Sequence, residues 1–350
     1  MSALMPIAAA SCADTQAPFR GQPPARRTAS VRPPPAPRKA LHGVLLLDKP
    51  VGWTSNDLLQ KVKGLMRAQK AGHTGTLDPL ATGLLPLCLG AATKFSQVSL
   101  DADKHYRATL RLGQRTTTGD REGSVEQERA VLTSRAAIEA ACTRFTGVVD
   151  QLPPMHSALK HEGKALYEYA RAGVDIERST RQVHIHAIDI IEWQHDVLVI
   201  DVHCSKGTYI RTLAQDLGEV LGCGAHLQAL QRTGCGELRL DQAVTLDALT
   251  AMAPEQREAL LLPTDALLTG WPAVQLAQED AGRFLCGLRR RVTQPDQAQV
   301  RVYGPPPIAH AAVAQTPATA HRAFLGTAHI TAGELIADRL LSPIEVQVTP

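Results

Sequence analysis

Three residues of this 350-residue chain have the type and setting to do chemistry: Asp78, Tyr106 and Arg211. Asp78 is the single carboxylate in the run Gly72 to Lys94, GHTGTLDPLATGLLPLCLGAATK. A carboxylate that stays ionised can attack an electrophilic carbon or take a proton. Gly72, Gly75 and Gly83 admit backbone angles that other residues resist, and Pro79 steers Asp78 away from helical geometry. Such a loop presents one side chain in one pose. Asp-Pro is also the ordinary signature of a turn, so the loop alone does not separate a nucleophile from a corner.

Tyr106 lies in KHYRATLRLG, Lys104 to Gly113. Strict alternation puts Tyr106, Ala108, Leu110 and Leu112 on one face of a half-buried strand. Its ring is either a core tyrosine or a face on which a base stacks. Arg211 lies in SKGTYIRTLAQDLG, Ser205 to Gly218, a junction of strand and helix with Ile210, Leu213 and Leu217 as the apolar stripe. In a first helical turn the macrodipole disfavours a cation by a few tenths of a kcal/mol, so Arg211 there either has an anionic partner or is an ordinary solvated arginine. Phosphoryl-aspartate chemistry of the DKTGTLT kind is excluded, because Gly72 stands where that motif carries its aspartate.

The elements that must position these residues are legible in outline. Val44 to Leu47 is a buried strand ending in Asp48, Lys49 and Pro50, and Ser55 or Asn56 caps a helix with Leu58, Leu59, Val62, Leu65 and Met66 on one face. Lys61, Lys63, Arg67 and Lys70 decorate its other side. Leu152 to Gly173 interleaves basic and aromatic side chains (His156, Lys160, Lys164, Tyr167, Tyr169, Arg171), a pattern suited to a nucleic-acid backbone with exposed bases or to an ordinary surface helix. Strands follow at Val183 to Trp193 and Val197 to Cys204. His184 and His186 share a strand face, but no third ligand sits at a recognisable spacing, so no metal is expected.

Composition bounds the rest. Hydrophobic residues at 44% fit a globular chain long enough for two domains, and no apolar run approaches the roughly 18 residues of a membrane span. The net charge is +3, yet residues 1 to 40 hold six basic side chains against Asp14, which leaves −2 for the remainder. Only local clusters of Lys and Arg can therefore argue for nucleic acid. Seven cysteines without a C-x-x-C pair point to reduced thiols in a cytoplasmic protein. Residues 1 to 40, rich in Ala, Pro and Arg, are expected to be a disordered extension.

Taken together, GHTGTLDPLATG, the KHYRATLRLG strand, and SKGTYIRTLAQDLG followed by GCGAHLQALQR resemble the bacterial TruB-type tRNA pseudouridine-55 synthases, in order and spacing, from about His42 to Leu249. The resemblance implies an α+β pseudouridine synthase fold, with a mixed, largely antiparallel central sheet flanked by helices. It places the catalytic domain at residues 41–269, an RNA-gripping insertion at about 152–182, and a small β-rich PUA-like RNA-binding domain at 270–350. It implies isomerisation of a T-loop uridine, flipped out of the tRNA T arm, by a monomer without cofactor or metal. The family's nucleophile falls on Asp78, its stacking tyrosine on Tyr106 and its ion-pairing arginine on Arg211. His73, Tyr209 and Leu230 take its substrate-contacting positions, and Lys49 and Lys94 complete the candidate substrate-binding set.

Overall fold

The apolar runs Gly43–Lys49 and Thr82–Leu89 pair antiparallel, from Gly43 opposite Leu89 to Lys49 opposite Gly83. Both need cover on two faces, so they sit inside a sheet rather than at its edge. In the computed structural model, which describes residues 37–306 and 322–348, they belong to a ten-stranded mixed sheet. Beyond them lie Ala225–Cys235, Lys104–Leu112, Val197–Cys204, Arg181–Gln194 and Gly147–Gln151, in that order. Two pairings in this sheet are parallel, Val244–Thr245 with Gly43–Lys49 and Ala225–Cys235 with Thr82–Leu89; the others are antiparallel.

Helices cover the sheet where its strands expose apolar faces. Ile210–Val220 buries Ile210, Leu213, Ala214 and Leu217 against Leu110, Ile200 and Leu227, with Ile138 of the helix Arg135–Arg144 closing the same core. Ser55–Leu65 buries Leu58, Leu59 and Val62 against Leu45, Leu47, Leu85 and Leu87. Thr54, not Ser55 or Asn56, caps this helix, its hydroxyl accepting from Asp57 N at 3.0 Å. Ser55 is withheld from that role because its own hydroxyl holds the aspartate loop.

A second sheet of five strands runs Ala273–Gln275, Gln297–Gly304, Ala323–Thr331, Glu334–Leu340, Arg290–Arg291. Its core of Phe284, Val300, Val302 and Leu325 takes in Phe95, which meets Phe324 edge-on at 5.2 Å between ring centroids. The expected N-terminal extension falls largely outside the described residues. Its end is engaged: Lys39 N donates to Arg67 O at 2.7 Å and its ammonium pairs with Glu258, so order begins before Leu41.

Candidate active site

The loop that carries Asp78 is pinned on both sides. Ser55 Oγ accepts from Leu77 N at 2.8 Å and donates to Leu77 O at 3.2 Å. Gly52 N reaches Pro79 O at 2.8 Å, and Ala81 N closes on Asp78 O at 3.0 Å. Lys49, fully buried, donates to Ala81 O at 2.6 Å. Burial is the main cause that lowers the Lys49 pKa to about 8, with Asp78 pulling it back up. Lys49 thus clamps the loop from below rather than meeting a substrate.

Gly83 has φ +98°, and a Cβ there would stand 2.4 Å from Arg232 O, where two strands run parallel. Gly75 also sits at positive φ, +107°. Gly72 does not; it is an ordinary residue of the strand Ala71–His73, so the sequence-based expectation of special geometry at this glycine fails.

Opposite the loop, Tyr209 precedes the helix Ile210–Val220, and Gln151 brackets it, accepting from Tyr209 N at 2.9 Å and donating to Tyr209 O at 3.3 Å. This fixes Arg211, whose side chain is 6% exposed. Its Nη2 lies 2.9 Å from Asp78 Oδ2 and donates to His156 O at 2.6 Å, while Nη1 lies 3.6 Å from Asp120 Oδ2. Arg211 therefore has an anionic partner, Asp78, joined by a second carboxylate that the sequence did not flag. Asp120 is itself held by Thr118 Oγ1 at 2.6 Å and Glu122 N at 3.0 Å. It is 4% exposed and committed to Arg211, so it is a structural partner of the arginine.

Tyr106 stands directly across from Arg232 on the neighbouring strand. Burial pushes its phenol up to about 12, with Arg232 the chief opposing charge. Arg232 is the other residue that sequence reasoning missed. It is 1% exposed, its Nε donates to Leu84 O at 2.7 Å, and its Nη2 has no hydrogen-bond partner. Burial first, then Arg232, lowers the pKa of His73, whose Nδ1 is buried and unpartnered. His73 is thus a neutral ring beside a fixed cation. Burial likewise raises the Tyr209 phenol, and Leu230 packs half-buried at the edge of the same core.

Asp78 thus keeps an exposed edge against a buried counter-cation, Arg211, while Tyr106 and His73 share Arg232 as a second buried cation. Residues 63–210 match the model of the TruB family pseudouridylate synthase (N terminal domain), and residues 211–269 that of the tRNA pseudouridylate synthase B C-terminal domain. A tRNA pseudouridine synthase B of Cupriavidus pinatubonensis is 58% identical over 290 residues, 80% of this chain and 92% of that one. The chain belongs to the TruB family. Another TruB relative, from Ralstonia nicotianae, is 60% identical over 274 residues, covering 77% and 87% of the two chains. In fold, this TruB chain is similar to a chain of a crystallised Cbf5-Nop10-Gar1 complex, with TM-score 0.64 and 21% identity over 88% of this chain and 87% of that one.

Two expectations change. Lys94 is tied to the second sheet, donating to Leu340 O at 2.9 Å and Glu345 Oε2 at 2.7 Å, and its charge is used there instead of on a substrate. The pair His184 and His186 gains the neighbours it was thought to lack: His203 and Asp103 bring ligand atoms to His186, all within 4.8 Å of one another. Burial lowers the pKa of His203 and of His105 beside it.

Proposed function

We propose that this chain isomerises a uridine in the T loop of tRNA, position 55, to pseudouridine, with Asp78 as the nucleophile on a flipped-out nucleotide. The reading rests on one contact, Arg211 Nη2 to Asp78 Oδ2 at 2.9 Å, inside a chain of the TruB family. Uridine isomerisation is the family's chemistry. The glycosidic bond from carbon 1′ to N1 breaks, the uracil turns, carbon 5 joins carbon 1′, and a proton passes from carbon 5 to solvent while N1 gains one.

Each residue has a part in that sequence. Asp78 has one edge open, its side chain 38% exposed, and attacks carbon 1′ or takes the proton at carbon 2′. Arg211 holds it aimed through the 2.9 Å contact. Tyr106 gives the flipped base a stacking face worth roughly 1–3 kcal/mol, against an unstacking cost of a few kcal/mol. With its phenol raised to about 12 it acts as a neutral donor at physiological pH, not as a phenolate base. His73 offers its free Nδ1 to the displaced nucleotide.

The test uses a T-arm stem-loop with uridine tritiated at carbon 5, for which tritium release reports the isomerisation. Asp78→Asn keeps the shape and removes the nucleophile. Release should be abolished while binding of the stem-loop persists; continued turnover sinks the assignment.

A further inference from the structure

We propose that His186, His203 and Asp103 form a binding site for a first-row divalent cation, zinc fitting best, on the sheet face opposite Tyr106.

Three neighbouring segments converge there. His105 and His203 stand directly opposite each other on paired strands, their rings stacked at 4.0 Å between centroids. A register shift between Ile185 and Ala187 turns His186 toward the same side, 4.5 Å from the His203 ring. Asp103 enters just before the tyrosine strand Lys104–Leu112. Its Oδ2 is 3.0 Å from His186 Nε2 and 3.9 Å from His203 Nε2.

The unusual atom is His186 Nε2. It is shut off from solvent and makes no hydrogen bond, although a carboxylate oxygen lies only 3.0 Å away. The angle is wrong for an N–H donating to that oxygen. Two donors aimed at a common point between them fit the same separation: ligands of a tetrahedral ion at about 2.0–2.1 Å stand about 3.3 Å apart. Bringing His203 to that spacing takes a movement of about half an ångström along the 3.9 Å edge and up to about 1.5 Å along the edge to His186, within the reach of a rotation of a partly exposed imidazole. Imidazole and carboxylate together suit zinc and its first-row neighbours over magnesium or calcium, which prefer oxygen. A water completes four-coordination; the exposed His184 stands beside the His186 ring, outside the three-residue cluster.

Strand alternation sends His105 and Tyr106 to opposite faces, so the ion does not enter the pocket. It would clasp the start of the tyrosine strand to two neighbours, and so stabilise the folded state without touching the uridine.

The experiment titrates cobalt(II), then zinc, into the full chain after chelator treatment and gel filtration, without an affinity tag. The expected result is one equivalent of cobalt with visible d–d bands of tetrahedral intensity and no thiolate charge-transfer band, displaced by zinc. A thiolate band would place the metal on a cysteine such as the exposed Cys286 and overturn the proposal. His203→Ala and Asp103→Asn should each weaken binding by more than about tenfold and remove the rise in melting temperature that zinc gives the wild type. Circular dichroism shows whether these variants fold; His186→Gln, which keeps a polar side chain of similar size, provides a third. Unchanged stoichiometry and affinity in folded variants, or no saturable binding by the wild type, refutes the site. Tritium release should be the same with and without chelator, which separates this inference from the assignment of Asp78.

Discussion

The aspartate loop and the segment at 152–182 both meet Arg211, through Asp78 and through His156 O, and are built in opposite ways. Two of the contacts that fix the backbone around Asp78 come from buried side chains, Ser55 at Leu77 and Lys49 at Ala81, and a third is the exposed Gly52 N at Pro79 O. In the insertion, charges and rings mostly satisfy one another at the surface, Lys164 over Tyr169 at 4.8 Å and Arg171 over Tyr167 at 5.3 Å. Leu152, Tyr167 and Val174 stay exposed. The contrast suits the tasks proposed for the two regions. A reacting carboxylate loses rate with small displacements, whereas a polyanion can be held by any of several cations.

The largest effect should come from the over-determined side. Asp78→Asn is expected to lower kcat by at least about 10⁴-fold with stem-loop affinity within about tenfold of wild type. Single-turnover tritium release and filter binding measure the two. If affinity collapsed as well, Asp78 would be organising the pocket as much as reacting in it.

Arg211→Ala comes next, and here stability enters. It strands Asp120, which is 4% exposed, and breaking a buried pair in this way costs roughly 3–5 kcal/mol. Asp78→Ala leaves Arg211 with Asp120 as partner and should cost less. Urea unfolding of both variants checks the order. Equal costs would mean that Asp120 contributes little to holding the arginine.

Lys49→Met gives a smaller, pH-dependent difference. The Lys49 pKa falls from 10.5 unfolded to about 8 folded, so between these values the unfolded chain binds the extra proton and this residue's contribution to stability rises with pH. Below pH 8 the folded state bears the cost of a buried ammonium. Tyr106 acts in the other direction above pH 10, because its phenol is raised to about 12, but it does so in both proteins and cancels in the difference. Wild type should therefore gain stability relative to Lys49→Met from pH 8 toward pH 10.5. A flat difference across that range would show that the fold does not lower the Lys49 pKa.

What the sequence disclosed and what it hid follow one physical line. Asp78, Tyr106 and Arg211 are placed by local chemistry: a loop of glycine and proline, a strand alternation, a helix start that favours an anion. Asp120 and Arg232 are invisible on those terms. Asp120 sits in a polar, turn-rich stretch that looks like solvated surface, and only tertiary packing carries it to Arg211. Arg232 matters through the residue across from it, Tyr106, and that pairing depends on strand register. Register also joins His203 and Asp103 to His186. Lys94 fails in the reverse sense: its charge was visible, while the distant Glu345 and Leu340 that claim it were not. The alternating sheet and the apolar helix stripes were legible because burial imposes their periods.

The smallest expected effect lies in the insertion, and it tests whether the two regions are as independent as their construction suggests. Lys160 is exposed. Lys160→Ala should weaken stem-loop binding evenly across sequences, reduce the slope of log affinity against log salt by about one, and leave stability within about 0.5 kcal/mol. At saturating RNA, kcat should not change, because the reacting groups are held by buried partners elsewhere. One strut joins the regions: His156 O accepts from Arg211 Nη2 at 2.6 Å. If kcat did fall at saturation, RNA held by the insertion would be setting the arginine through that carbonyl, and grip and chemistry would be coupled. Restoring kcat with Lys160→Arg, which keeps the charge, would then place the coupling in the phosphate contact rather than in the lysine's packing.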